Sequence, residues 1–374
     1  MKKTILMLLM AGLLVGCGTN YKKYKSYDEY PVYNGEDLEL TYSPSGSKFR
    51  VWSPAADEVK LLLFDNGLEG AAYMMKDMHR SKNGTWTVAV SDDLKGKFYT
   101  FQIKIGEKWM NETPGMWVKA VGINGKRGAI IDFKETNPEG WENDKRPELK
   151  SFADITLYEV HMRDFSVSPT SGMKYKGKFL AFTEHGTKNT AGQATGIDHL
   201  KELGITHVHL LPSFDYASVD ETKLNENKYN WGYDPMNFNV PEGSYSTDPA
   251  NPVARIKEFK QMVQSLHKSG IRVVMDVVYN HTFAGEESHL NQLVPGYFYR
   301  FNKDSTWSNA SGCNNETASE RPMMRKFIVE SVVYWAKEYH VDGFRFDLMG
   351  IHDIETMNAV RAALDKVDPT IVIY

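Results

Sequence analysis

Two short strings in this chain hold the side-chain types that nucleophilic or acid–base chemistry needs. One is Asp276-Val277-Val278-Tyr279-Asn280-His281, and the other is Arg345-Phe346-Asp347. Arg345 and Asp347 are two residues apart, so on a β-strand they share one face. A carboxylate beside an arginine stays ionised near neutral pH, because the opposite charge favours the charged form. At the floor of a pocket such a group serves as a nucleophile or an electrostatic stabiliser. In isolation the same pair is equally a structural ion pair. Asp276, Asn280 and His281 shift the balance toward function if the two strings end neighbouring strands.

The elements that would bring them together follow from periodicity. Strands are expected at residues 154–161, 207–211, 271–279, 343–349 and 370–374, with helices at 193–203, 252–268, 323–339 and 354–367. Repeated β-α units with apolar strands mean a parallel sheet with helices outside it. Five strands and four helices are an incomplete (β/α)8 TIM barrel, which has eight of each and carries its chemistry at the carboxyl ends of its strands. An open parallel edge is a liability that folds avoid, so residues 151–374 are expected to be the N-terminal part of a longer catalytic domain.

Ahead of them, residues 35–137 alternate apolar and polar in short runs punctuated by Gly, Asn and Asp, the pattern of an antiparallel β-sandwich. Trp52 and Trp86, inside strand patterns, are expected in the core; Trp109, after a turn, is open to a core or a sugar-stacking role. Residues 138–150, polar and carrying Pro138 and Pro147, read as a linker. At the N-terminus Lys2 and Lys3 precede an apolar run that is too short to span a bilayer and ends in Leu14-Val15-Gly16-Cys17. This resembles a bacterial lipobox. Residues 1–17 are thus expected to be a lipoprotein signal peptide with Cys17 lipidated, 18–34 a tether, and the protein a lipid-anchored extracytoplasmic lipoprotein held at a membrane or cell surface.

Composition narrows the classes further. The 374-residue chain is 41% hydrophobic and 25% charged, the balance of a folded globular protein and not of a collagen, a disordered tail or a multispan membrane protein. A net charge of −4 gives no reason to expect nucleic acid as a partner. The 12% aromatic content suits stacking on ring ligands as well as a large core. With Cys17 lipidated, Cys313 has no intrachain disulfide partner.

Four stretches together resemble one family. The string 276–281 is similar to the first short conserved region of the α-amylase superfamily, glycoside hydrolase family 13, and Gly343-Phe344-Arg345-Phe346-Asp347 to its second. Tyr229-Asn230-Trp231-Gly232-Tyr233-Asp234-Pro235 resembles the signature of type I pullulanases. Residues 312–323, Gly312-Cys313-Asn314-Asn315-Glu316-Thr317-Ala318-Ser319-Glu320-Arg321-Pro322-Met323, are similar to a stretch shared by pullulanases and isoamylases. Residues 35–135, with Phe49-Arg50-Val51-Trp52-Ser53-Pro54, look like a family 48 carbohydrate-binding module.

The resemblance implies hydrolysis of α-1,6-glucosidic linkages in pullulan and branched α-glucans by a retaining mechanism. In it Asp347 is the nucleophile, Arg345 orients it, Asp276 supports that arrangement and the sugar, His281 bonds a glucose hydroxyl, and Tyr233 stacks under the same ring. The family's acid/base is a Glu just after strand five, beyond Tyr374; Glu159, Glu316 and Glu320 do not match its place. The alternatives are an isoamylase or glycogen-debranching enzyme, or a non-catalytic α-glucan-binding surface lipoprotein. No cofactor and no metal site are expected. His207 and His209 share a strand face without a third ligand, and calcium near Asn280, known in some amylases, lacks a visible acidic ligand set.

Overall fold

The computed structural model describes residues 24–374; the apolar leader, Cys17 and the first part of the expected tether lie outside the described residues. The chain begins with two antiparallel sheets. Its strands are β1 (Glu39–Ser43), β2 (Gly46–Trp52), β3 (Glu58–Phe64), β4 (Met74–Asp77), β5 (His79–Arg80), β6 (Thr85–Val90), β7 (Phe98–Ile105), β8 (Lys108–Trp109) and β9 (Gly128–Ala129). One sheet runs β1-β2-β6-β5 and the other β4-β3-β7-β8, with β9 added to β7. Inward residues of both, among them Phe49, Val51, Leu61, Leu63, Phe101 and Ile103, close the core between the sheets. Trp52 and Trp86 are both buried, Trp86 opposite Val51 and Trp52 on the other face of β2. The Trp109 ring has the Lys60 ammonium 4.6 Å from its centroid, so a cation already occupies one face.

A parallel sheet follows. It is built from β10 (Leu157–Val160), α1 (Gly196–Leu203), β11 (His207–Leu210), a hairpin of β12 (Phe214–Tyr216) and β13 (Pro235–Pro241), α2 (Pro252–Lys268), β14 (Arg272–Val277), α3 (His289–Leu293), α4 (Pro322–Glu338), β15 (Gly343–Phe346), α5 (Ile354–Asp365) and β16 (Val372–Ile373). The five strands β10-β11-β14-β15-β16 lie side by side in chain order, all parallel, with α1, α2, α4 and α5 as crossovers. This is the arrangement of part of a (β/α)8 barrel. Helix α2 starts as its sequence demands: the Asn251 side chain accepts from Val253 N and Ala254 N, and Pro252 takes the first turn, where its missing N–H costs nothing. Among the described residues no helix is long and apolar enough to cross a membrane.

Two segments expected to be connectors are instead packed. From Tyr24 on, the expected tether lies against the barrel: Tyr30 stacks on Tyr297 at 5.6 Å and the Tyr27 hydroxyl donates to Pro295 O at 3.0 Å. Trp52 packs edge-on against the same Tyr297 ring at 4.8 Å, and Ser53 Oγ donates to Leu293 O at 2.7 Å. Aromatic burial outweighs the polar character of the stretch. The expected linker is a clamp across the sheet's amino-terminal end. Trp141 stacks on His340 at 4.1 Å, and Arg272 Nε donates to Pro147 O at 2.7 Å. Asp144 accepts from His267 Nδ1 at 2.8 Å and from His340 Nδ1 at 2.8 Å. The other ring nitrogen of His267 meets Asp342 at 2.8 Å.

The last contact makes a buried imidazolium between two carboxylates. Burial works against its charge, but Asp342 and Asp144 prevail and raise the His267 pKa from 6.5 to about 9. A group raised in the folded state stabilises fully below its unfolded pKa, and that stability is lost as pH rises through the folded one. The clamp should therefore contribute on the order of 3 kcal/mol below pH 6.5 and lose it by about pH 9. Urea midpoints of the wild-type chain and His267→Gln are expected to differ widely at acidic pH and converge in alkali. A gap that stays constant with pH would show that the ring carries no charge.

Candidate functional site

The parallel register sets the chemistry. Asp276 on β14 lies directly opposite Arg345 on β15, and the backbone N–H of Asp347, just past β15, donates to Val277 O at 2.9 Å. All three side chains thus arrive at the carboxyl ends of adjacent strands. Arg345 Nη1 then reaches both carboxylates: Asp276 Oδ2 at 2.9 Å and Oδ1 at 3.1 Å, and Asp347 Oδ1 at 2.8 Å. The second Asp347 oxygen accepts from Asn280 Nδ2 at 3.0 Å. Asp276 is fully buried, whereas the Asp347 side chain keeps 15% of its exposure, enough to face an incoming group.

Tyr233 completes the floor. Its hydroxyl donates to Asp276 Oδ2 at 2.8 Å. Burial and then the charge of Asp276 hold this phenol well above its usual pKa, so it remains a donor. Burial also works against Arg345, but Asp276 prevails and the guanidinium is held above its ordinary value. Tyr233 sits on the loop before β13, where Gly232 has φ +95° and a Cβ would fall 2.6 Å from Pro212 O. Only glycine fits there. Asp234 shapes this loop, accepting from Ser218 N at 2.8 Å and Asn230 Nδ2 at 3.2 Å. The neighbouring Trp231 and Tyr229 are 62% and 51% exposed, apolar ring surfaces presented at the rim.

His281 reaches the site, but both of its ring nitrogens are engaged inside the protein. Nδ1 is 2.6 Å from Asn280 Oδ1 and Nε2 is 2.9 Å from Tyr233 O. In this arrangement it ties the Tyr233 loop to the residue that holds Asp347. Burial pushes its pKa down. Directly after Asp347, Leu348 adopts φ 46°, a left-handed conformation that costs a branched side chain on the order of 1–2 kcal/mol.

Sequence reasoning missed His209. Its Nε2 is 3.3 Å from Asp276 Oδ2 and its Nδ1 is 3.4 Å from Glu159. The signal was the alternation of β11, which sends His209 to the face that Asp276 occupies on β14. His207, on the same strand, bonds instead to Thr206 Oγ1 at 2.8 Å. Glu316 and Glu320 are not acid candidates: both hold Arg300, at 3.4 and 2.7 Å. The long segment carrying them is well packed, with Tyr297 and Phe298 against Trp52 of the sandwich and Tyr299 buried beside Trp307.

Among the described residues one set of carboxylates has metal-ligand spacing, Asp215, Glu221 and Glu242. It does not suit calcium. Arg255 is buried there, donating to Asp215 Oδ1 at 3.2 Å and Glu221 Oε2 at 2.8 Å. Glu242 is taken up by Tyr216 N at 3.0 Å and Ser244 N at 2.8 Å. The guanidinium already supplies the cation.

Residues 37–117 match the family model of carbohydrate-binding module 48 (isoamylase N-terminal domain), and residues 131–292 match that of the alpha amylase catalytic domain. The chain is 42% identical over 355 residues to the pullulanase of Bacillus subtilis (strain 168), covering 93% of this chain and 47% of that protein. Among solved structures it is similar to a Paenibacillus barengoltzii pullulanase complexed with maltohexaose and alpha-cyclodextrin, at 53% identity and a TM-score of 0.91, covering 92% of this chain and 53% of that one. It also resembles an Anoxybacillus sp. LM18-11 pullulanase complexed with maltotriose, at 43% identity and a TM-score of 0.87, covering 94% and 49%. The chain spans about half the length of the relatives it matches. The chain thus matches a carbohydrate-binding module 48 followed by alpha amylase catalytic sequence, and over more than nine tenths of its own length it is similar to pullulanases.

Proposed function

We propose that this chain carries the nucleophile half of an α-1,6-glucosidic hydrolase acting on pullulan and branched α-glucans with retention of configuration. The observation that carries the reading is the single Arg345 nitrogen bonded to both Asp276 and Asp347 at adjacent strand ends. In the first step an Asp347 oxygen forms a bond to the anomeric carbon while the bond from that carbon to the leaving O6 breaks. The O6 takes its proton from a second carboxyl, and water then displaces Asp347 with that carboxylate as base. Arg345 and Asn280 orient the Asp347 oxygens. Asp276, held by Arg345, Tyr233 and His209, fixes the guanidinium. The Tyr233 ring and the exposed Trp231 and Tyr229 offer faces for glucose units. The 1,6-specificity rests on the likeness of residues 229–235 to the type I pullulanase signature.

The second carboxyl must stand about 5–5.5 Å from the nucleophile, and its expected source is a Glu in the residues that follow β16. The coding sequence after Tyr374 tests this: a Glu within a few codons supplies the pair, and a stop codon there turns the reading into α-glucan binding without hydrolysis. Formation of the first bond does not need the acid when the leaving group is already good. A 5-fluoro-α-glucosyl fluoride is therefore expected to label the chain once, at Asp347, and not to label Asp347→Ala. Labelling elsewhere would exclude Asp347 as nucleophile. With a complete pair, Asp347→Ala should lower kcat on pullulan by about 10⁴ or more. Faster hydrolysis of glycogen than of pullulan would favour an isoamylase-type enzyme.

The leader supports a second proposal, that the protein is a lipoprotein anchored outside the cytoplasm through Cys17. Expressed in a bacterium with its leader, the protein should fractionate with membranes and take up labelled palmitate. Cys17→Ala should abolish both; palmitate incorporation that survives this substitution would refute the anchor.

A further inference from the structure

A pocket of about 210 Å³ lies beside the loop that carries Tyr233, between the segment after β10 and the β12–β13 excursion. It is enclosed on the loop side by Asn230, whose carbonyl is 2.8 Å from His161 Nε2. Its walls bring together Arg163, Lys176, Lys178, Lys223 and Lys228, against only Asp220 and Glu226. With Asp164, which pairs with Arg163 from just outside the wall, that is an excess of two positive charges in a protein whose net charge is −4.

The way these cations are partnered is the second observation. Surface lysines commonly meet carboxylates, yet three of these do not. Lys176 Nζ donates to Ser168 O at 2.6 Å, Pro169 O at 3.0 Å and Ser171 Oγ at 3.2 Å. Lys178 Nζ donates to Ser244 O at 2.8 Å, and Lys228 Nζ donates to Ser218 O. Carbonyl oxygens orient an ammonium without neutralising it. Lys223 does pair with Asp220, at 3.3 Å, and Arg163 with Asp164, at 2.6 Å. The acids that act on Lys178 from deeper in the fold are Glu258, Glu242 and Glu221. Of these, Glu221 is paired with Arg255, while Glu242 and Glu258 accept from backbone N–H groups, Glu258 from Thr247 N at 2.8 Å. The pocket wall therefore holds three lysines, Lys176, Lys178 and Lys228, that bond no carboxylate, beside the paired Lys223 and Arg163, with the hydroxyls of Tyr216 and Ser244 among them.

We infer that this pocket binds a phosphate group, either as inorganic phosphate or as a phosphate monoester on a sugar. A compact tetrahedral anion carries more negative charge and more acceptor oxygens than a carboxylate, which suits a wall lined by several cationic side chains. The volume admits such a group and excludes an extended glucan chain. Because the pocket adjoins the Tyr229 to Pro235 loop, a sugar phosphate held there would lie next to the cleft, but the inference does not depend on the hydrolytic reading.

Isothermal titration of the full chain tests it, with inorganic phosphate, glucose 6-phosphate and neutral maltotriose as separate titrants. One phosphate site per chain is expected, with a dissociation constant at or below about 1 mM. The affinity should fall severalfold when NaCl rises from about 20 to about 200 mM, because the attraction is screened. Lys228→Gln, at an exposed position, is expected to weaken binding at least about threefold, and Lys176→Gln with Lys228→Gln at least about tenfold, with unchanged far-UV circular dichroism. Tighter binding of glucose 6-phosphate than of phosphate identifies a sugar phosphate as the occupant; equal or weaker binding identifies the free anion. No heat with either anion up to about 10 mM, or binding that both variants leave unchanged, overturns the assignment.

Discussion

Everything at the carboxyl end of the sheet depends on one nitrogen. Arg345 Nη1 meets two carboxylates, one fully buried and one partly open. Removing a carboxylate such as Asp276 from water costs several kcal/mol unless donors replace the lost hydration. Here the replacement is nearly complete: Arg345, Tyr233 and His209 crowd the Asp276 oxygens. The buried acid in turn pins the guanidinium, which leaves the partly open Asp347 oriented by a group that cannot swing away. Asn280 and His281 extend the same logic outward, since one holds Asp347 and the other ties Asn280 to the Tyr233 loop.

The same solution recurs away from the site. Arg255 sits among three buried acids, and His267 sits between Asp144 and Asp342. Each isolates a cation among carboxylates contributed by different segments, so each fixes the relative placement of those segments more sharply than apolar contact would. Arg255 ties helix α2 to the β12–β13 excursion, and His267 ties α2 to the segment before β10 and to the start of β15. Helix α2 is thus referenced at both ends by charge.

Much of this was legible in the sequence. The five parallel strands, the four crossover helices and the two-sheet sandwich follow from apolar periodicity and caps, with α2 found at its full extent from Pro252 at its start and Gly270 after its end. Of the candidate site residues, Asp276, Arg345, Asp347 and Tyr233 meet in one network, while His281 adjoins it. The hairpin of β12 and β13 was not legible: three residues are too few for an alternation, and Pro235 and Pro241 read as breakers. The apolar run at 129–133 reads as a strand, but only Gly128–Ala129 pairs as one, because Asp132 caps a following turn, accepting from Lys134 N. His209 was passed over because its meaning depends on a strand 67 residues away. The packed segments at 24–34 and 138–150 look like connectors for a related reason. Local polarity says nothing about a distant aromatic or a distant histidine that will cover them.

The seam between sandwich and barrel carries a consequence for synthesis. Trp52 and Ser53 leave the ribosome early, but the residues that cover them, Leu293 and Tyr297, follow some 240 positions later. At about 5–20 residues per second that is an interval of roughly 12–48 s. For that time the sandwich exists as a fold with one aromatic flank uncovered. A module that is easily described as a separate binding unit is, while it is being made, half of an unfinished core.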